Sequence, residues 1–192
     1  AGVGVPPLGR VAVLDVAVAD LTRSTNEVVI VQDEDVVEVM VDVVKGNPEV
    51  RVFNLSFSGP PIGQLAAVER AERLMLAQDL DNFVFAHDVT VVMSAGNSPE
   101  GAQPIAPYPR HVADPRWAMG AWVTGVNTLK CGAYVGHPVA HGLVNNVGWP
   151  SPFTRIGPPI RDTAAPQCSA TGGDLGTNYR TVPGAGLCCC DS

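Results

Sequence analysis

Short valine-rich runs alternate along this chain with stretches whose apolar positions repeat every three or four residues. The runs "GRVAVLDVAVAD" (Gly9–Asp20), "VRVFNLSFSG" (Val50–Gly59), "VTVVMSAGN" (Val89–Asn97) and "WAMGAWVTGVN" (Trp117–Asn127) read as strands. Between them, "DEDVVEVMVDVVKG" places Val36, Met40, Val43 and Val44 on one face, with acids in its first turn where a helix dipole favours them. "QLAAVERAERLMLAQDL" places Leu65, Val68, Ala71 and Met75 on one face of a second helix. Nearly all-apolar strands joined by helices predict an α/β fold: a three-layer parallel sheet with helices on both faces and binding sites beyond the carboxyl ends of the strands. From Ala102 to Pro115, and again after Gly136, proline and glycine become frequent and the periodicity fades into loop-rich surface.

Composition narrows the class. The 192 residues, 46% hydrophobic and 16% charged, fit one domain with a substantial core and exclude a disordered chain. No apolar run reaches the roughly 18 residues of a membrane span, so no membrane partner is expected. The net charge of −7, without a Lys/Arg cluster to follow a phosphate backbone, argues against nucleic acid. Of five cysteines, Cys131 and Cys168 stand apart and Cys188, Cys189 and Cys190 are consecutive, which gives neither a zinc spacing nor a disulfide framework. His137 and His141 have i, i+4 spacing, but Pro138 and Gly142 argue against the regular helix that could turn it into a metal site. His87 precedes a strand and His111 lies in a proline-rich loop, neither with a visible partner for base catalysis. No metal or cofactor is assigned: Asp33, Glu34 and Asp35 read as helix-capping acids, and no glycine-rich phosphate loop follows any strand.

The chemistry concentrates where strands end. "VVMSAGN" stops at Gly96 and Asn97, which alone would be a turn, since both residue types tolerate left-handed backbone angles. Three other blocks change that reading: "NLSFSG" (Asn54–Gly59), "YPRHVADPRWAMGAWV" from Tyr108, and "FTRIGP" from Phe153. In this order the four blocks resemble the subtilisin-like serine proteases, the subtilases. That family has a strand ending in an Asn-x-Ser-x-Gly type segment, a helix, a strand ending Ala-Gly-Asn, a Tyr-Pro stretch running into Val-x-Ala-Val-Gly-Ala, and a Phe-Ser-x-x-Gly-Pro turn. The similarity runs from about Gly2 to about Asp174, with an irregular tail over 175–192.

The resemblance implies a subtilisin-like fold and a role for the carboxamide. Asn97 matches the asparagine that donates a side-chain hydrogen bond to the oxyanion formed when serine attacks a peptide carbonyl. Ser56, Phe57, Ser58 and Gly59 match one wall of the substrate cleft, which pairs with an extended peptide through main-chain hydrogen bonds. Ser94, Ala95 and Gly96 match the pocket for the side chain before the scissile bond.

The family's three catalytic motifs are missing. An Asp-[Ser/Thr]-Gly strand end, a His-Gly-x-His helix start and a Gly-Thr-Ser helix start would supply orienting carboxylate, base and nucleophile. Asp15 ends a run like the aspartate strand, yet Val16 and Ala17 follow it; "GHPVAHGLV" comes after the Asn97 block instead of before it; and "GTNYRT" has Asn178 where serine would stand. Ser169 follows the "FTRIGP" turn too closely to be that serine. The expectation is therefore an internal, incomplete segment, residues 1–192, of a subtilisin-like endopeptidase domain. It would be inactive alone, bind an extended peptide or protein, and be completed by further chain segments. A non-catalytic pseudoprotease or peptide-binding module is the alternative, and a nucleotide-binding α/β domain a weaker one.

Overall fold

The computed structural model describes residues 33–98, 102–137, 139–144, 146–157 and 165–180. The expected strand at Gly9–Asp20, Asp15 and the Cys188–Cys190 run lie outside them. The described residues form a four-stranded, all-parallel sheet in the order β1 (Val52–Leu55), β2 (Thr90–Ser94), β3 (Leu129–Tyr134), β4 (Cys168–Thr171). Helix α1 (Asp33–Gly46) precedes β1, and α2 (Ala67–His87) connects β1 to β2. The fold is α/β, with β1–α2–β2 as a crossover unit of the kind parallel strands require.

Period-two alternation splits the sheet. Phe53, Leu55, Val91 and Met93 point to one face, where they are buried with Val36 and Met40 of α1 and Leu76, Leu80 and Phe83 of α2. The rings of Phe53 and Phe83 meet edge to face at 5.4 Å. Both α-helices pack on this one face; the second helical layer expected from the sequence is not among the described residues. The other face begins with Val52, 63% exposed, and continues through Asn54, Thr90, Val92 and Leu129.

Two expectations are corrected, and two strands arise where none was expected. Helix α2 runs seven residues past Leu80 and presents a different face: Val68 and Met75 are 73% and 64% exposed, while Leu76, Leu80 and Phe83 are buried. Those three also recur at i, i+4 and i+7, so the helix offers two apolar stripes, and contact with α1 and the sheet selects the second. The stretch Trp117–Asn127 is not a strand but two 3-10 turns, Pro115–Trp117 and Ala121–Thr124. Pro115 opens the first turn behind the Asp114 cap, and Gly120 and Gly125 bracket the second. Trp117, Ala118, Met119, Ala121 and Val123 are buried all the same, and periodicity cannot separate such a short run from a strand. Finally β3 and β4 arise from "LKCGAY" and "CSAT", which combine a glycine, a lysine and small side chains of low strand propensity.

A buried polar cluster and an apolar one hold the loops. Asp114, 3% exposed, accepts from the backbone N–H of Ile105 and of Arg116 and from the Arg116 guanidinium at 2.7 Å. Chiefly through the Arg116 side chain, its carboxyl is held well below the usual carboxylate range. A satellite core of Trp117, Phe153, Leu175 and Tyr179 lies beyond it, so the tail is packed as far as Tyr179.

Two measurements check this packing. By urea denaturation, Leu80→Ala is expected to cost about 2–5 kcal/mol, and Met75→Ala to stay within about 0.5 kcal/mol; equal costs would mean α2 is rotated. A depressed carboxyl pKa contributes stability above its unfolded value near about 3.9, lost as pH falls toward the folded pKa. Asp114→Asn is accordingly expected to cost about 1.5–3 kcal/mol at pH 7, and the gap to wild type to narrow below about pH 4.

Candidate functional site

Because β1 and β2 are parallel, both chains leave the sheet at the same edge. Their register pairs Leu55 with Met93, so Ser56 emerges next to Ser94. The Ala95 N–H donates to Cys131 O at 2.9 Å, keeping the chain beside β3 for one more residue. Gly96 then turns with φ +95°, its N–H donating to Ser94 Oγ at 3.1 Å. Asn97 forms an antiparallel bridge with Thr154, flanked by bonds from Arg155 N to Gly96 O at 2.9 Å and from Ser98 N to Phe153 O at 2.8 Å. The "FTRIGP" block is thereby stitched to the "SAGN" block.

A cavity of about 390 Å³ opens on the sheet face opposite the helices, toward the carboxyl ends of the strands. Asn54, Ser56, Val92, Ser94, Gly96, Asn97, Cys131 and Thr154 line it, with Met93, Gly132, Ala133 and Ala170. The structure thus brings together Asn97, Ser56, Ser94 and Gly96. Asn97 is half-buried, and Asn54 Nδ2 donates to Ser56 Oγ at 3.3 Å.

The remaining named residues stand behind this lining. Phe57 packs edge-on against Trp122, with ring centroids 5.5 Å apart. Ser58 and Ala95 are buried at 8% and 1% exposure. Gly59 O accepts from Arg155 Nη1 at 2.9 Å. Pro60, Pro61 and Ser58 are held by the Ala118–Trp122 stretch: Ala121 N donates to Pro60 O and Trp122 N to Ser58 O, and Pro61 bridges Gly120. At Gly120 any Cβ would overlap the Ser58 carbonyl, so only glycine lets these two backbones approach so closely.

Cys131 and Ala170 could not be read from the sequence as lining residues because nothing local marks β3 or β4; Val92, on the recognised strand β2, and Thr154, inside the "FTRIGP" block, were within reach. Cys131 lies opposite Cys168 in the β3–β4 register, and both thiols are free. Burial first, and then Cys168, push the Cys131 thiol up, so it is a poor nucleophile at neutral pH. Among the described residues, no histidine and no carboxylate lines the cavity. His111 is 1% exposed, stacked on Tyr108 at 4.9 Å with both ring nitrogens unbonded, and burial lowers its pKa. His137 and His141 are exposed in a loop, and among the described residues no group of three or more His, Cys, Asp or Glu could hold a metal ion. The lining combines amide and hydroxyl groups with a larger apolar share from side chains such as Val92, Met93, Ala133 and Ala170.

Comparison with known proteins adds no relative: no family model, no curated protein and no solved structure matches the chain.

The backbone approach at Gly120 is testable. Gly120→Ala is expected to destabilise by about 1–3 kcal/mol through displacement of the Ser56–Gly59 segment. Gly46→Ala, where nothing lies within 4 Å of a new Cβ, is expected to be neutral or stabilising by up to about 1 kcal/mol in the same urea titration.

Proposed function

We propose that this chain is a segment of a subtilisin-like serine endopeptidase domain, with the cavity as part of its peptide cleft and Asn97 as its oxyanion donor. The observation that carries the reading is the meeting of Asn97 with Ser56, Ser94 and Gly96 around one cavity at the carboxyl edge of two parallel strands. A neutral amide suits the role, since it donates a hydrogen bond to a developing oxyanion without bringing a charge that must be desolvated. The chain leaves β1 at Ser56 without regular secondary structure, and a peptide would pair with the backbone there. Phe57, Ser58, Gly59 and Ala95 would act behind it, fixing the wall's position by packing. Peptide hydrolysis through an acyl-enzyme would require a nucleophile, a base and an orienting carboxylate from further chain segments.

A second reading, a non-catalytic peptide-binding module, is favoured by the lining itself, which holds amides and hydroxyls but neither imidazole nor carboxylate. The two readings share the cleft and differ in the flanking coding sequence. The protease reading expects Asp-[Ser/Thr]-Gly and His-Gly-x-His motifs upstream and Gly-Thr-Ser downstream.

The shared cleft is tested by titrating the 192-residue chain with an acetylated, amidated Ala-Ala-Pro-Leu peptide and following backbone amide resonances. Shifts concentrated in residues 56–59 and 94–97 are the expected result; shifts elsewhere, or none, would sink the cleft. A fluorophosphonate probe should leave this chain unlabelled. In a complete enzyme, Asn97→Leu is expected to lower kcat by about 10²- to 10³-fold with KM little changed, a magnitude taken from subtilisin itself.

A further inference from the structure

Strands β3 and β4 run side by side in parallel, and their register sets Cys131 directly opposite Cys168. Residues opposed in this way carry their side chains on one face. Neighbouring strands lie about 4.7–4.9 Å apart, within the roughly 4.4–6.8 Å between Cα atoms that a disulfide spans. The shared face is the one on which the cavity opens: Cys131, Ala133 and Ala170 line it, and alternation along β4 brings Cys168, two residues before Ala170, to the same side. Both thiols are free and half-buried. Cys131 Sγ donates to Gly132 O at 3.6 Å and Cys168 Sγ to Lys130 O at 3.5 Å, and the two side chains also hydrogen-bond each other.

The chain between the two cysteines supplies part of the cavity. It leaves β3 after Tyr134 and rejoins the sheet at Cys168, and on the way it delivers Thr154 to the lining. Thr154 Oγ1 accepts from Ala133 N at 3.0 Å, and its backbone bridges Asn97. Arg155 follows, donating from its backbone to Gly96 O and from Nη1 to Gly59 O, both at 2.9 Å. A covalent link between Cys131 and Cys168 would close this stretch into a loop where it leaves and rejoins the sheet, and so restrict its freedom to detach from Gly96 and Asn97.

We propose that Cys131 and Cys168 form a reversible dithiol–disulfide site on the wall of the cavity, oxidised by a small disulfide of the glutathione class, and that oxidation locks the Thr154-bearing stretch in place. The thiolate of one cysteine attacks a sulfur of the small disulfide, forming a mixed disulfide and releasing one small thiolate. The other cysteine loses its proton and attacks the protein sulfur of that mixed disulfide, expelling the second small thiolate. Two protein thiols are thereby oxidised to one S–S bond, the small disulfide is reduced to two thiols, and the two protons pass to the leaving sulfurs. Burial first, and then Cys168, keep the Cys131 thiol protonated at neutral pH, so exchange is slow there. The half-exposed position also leaves the bond open to reduction, as in labile disulfides. Neither cysteine is needed for the peptide-cleft reading, and the pair acts alike whatever ligand the cavity takes.

Peptide mapping tests the link directly. Trypsin cuts after Lys130, Arg155, Arg161 and Arg180, so Cys131, Cys168 and the Cys188–Cys190 run fall on separate peptides, 131–155, 162–180 and 181–192. The full chain is incubated with excess oxidised glutathione in mildly alkaline buffer, its remaining thiols are blocked with iodoacetamide, and it is digested. Most of the protein is expected to yield 131–155 joined to 162–180, two hydrogens lighter than their sum, and dithiothreitol to abolish that species. In a chain carrying Cys188→Ser, Cys189→Ser and Cys190→Ser, the same oxidation is expected to raise Tm by about 5 °C or more. Adding Cys168→Ala should remove both the link and the rise. Should that variant fail to fold, the peptide map and the Tm of the triple serine variant decide. Glutathione adducts on 131–155 and 162–180 without a link, links to 181–192 alone, no reaction, or a link that leaves Tm unchanged would each overturn the proposal, and none of them bears on the peptide cleft.

Discussion

The parallel pairing of β1 with β2 is the constraint on which the candidate site depends. Two parallel neighbours must be joined by a crossover, and both then exit at the same edge. Here the crossover is α2, and its fit over the sheet comes from Leu76, Leu80 and Phe83 packing with Val36, Met40, Phe53, Leu55, Val91 and Met93. Apolar burial on one face thus fixes where Ser56 and Asn97 emerge, although neither belongs to that core. The strength of the arrangement lies in this separation. Polar groups can be exposed at the edge because the burial that supports them is complete elsewhere.

The same logic carries through β3. Lys130 points to the helix-covered side, fully buried, where its Nζ donates to the carbonyls of Gly125 and Thr128. Asp81 of α2 accepts the N–H groups of Val126 and Asn127. These bonds tie the middle of α2 to the loop that enters β3, and so set β3 against β2 in the one register that puts Cys131 beside Ser94. Charges at such depth are justified by satisfied hydrogen bonds more than by their attraction for each other. Arg155 ties the two walls in the same way, donating from its backbone to Gly96 O and from Nη1 to Gly59 O.

Close backbone approach completes the site. The Ser56–Gly59 wall rests on the Ala118–Trp122 stretch, which looks strand-like in sequence but folds as turns; Gly120 is the point where no side chain fits. Asp114, pinned by Arg116, starts that stretch, and Trp117 anchors it by donating from Nε1 to Pro152 O at 2.7 Å. A wall that faces solvent on one side is therefore held from behind by a buried cluster.

Much of this was legible in the chain. The apolar periods of 33–46 give α1 with its buried Val36 and Met40, and the runs ending at "NLSF" and "VVMS" give β1 and β2, because hydrophobic spacing is a local property set by helix and strand geometry. Ser56, Gly96 and Asn97 stand just past strand ends that the apolar runs mark, and Ser94 is the last residue of β2. The face of α2 was not legible, since two apolar stripes compete on it and only contact with α1 and the sheet chooses between them. Nor were β3 and β4, whose residues have little intrinsic preference for extended chain and take it up by pairing with β2 and with each other. Cys131 and Arg155 reach the site from strands and turns distant in sequence, and long-range pairing alone brings them to Gly96; that proximity is a property of the tertiary structure and leaves no local trace.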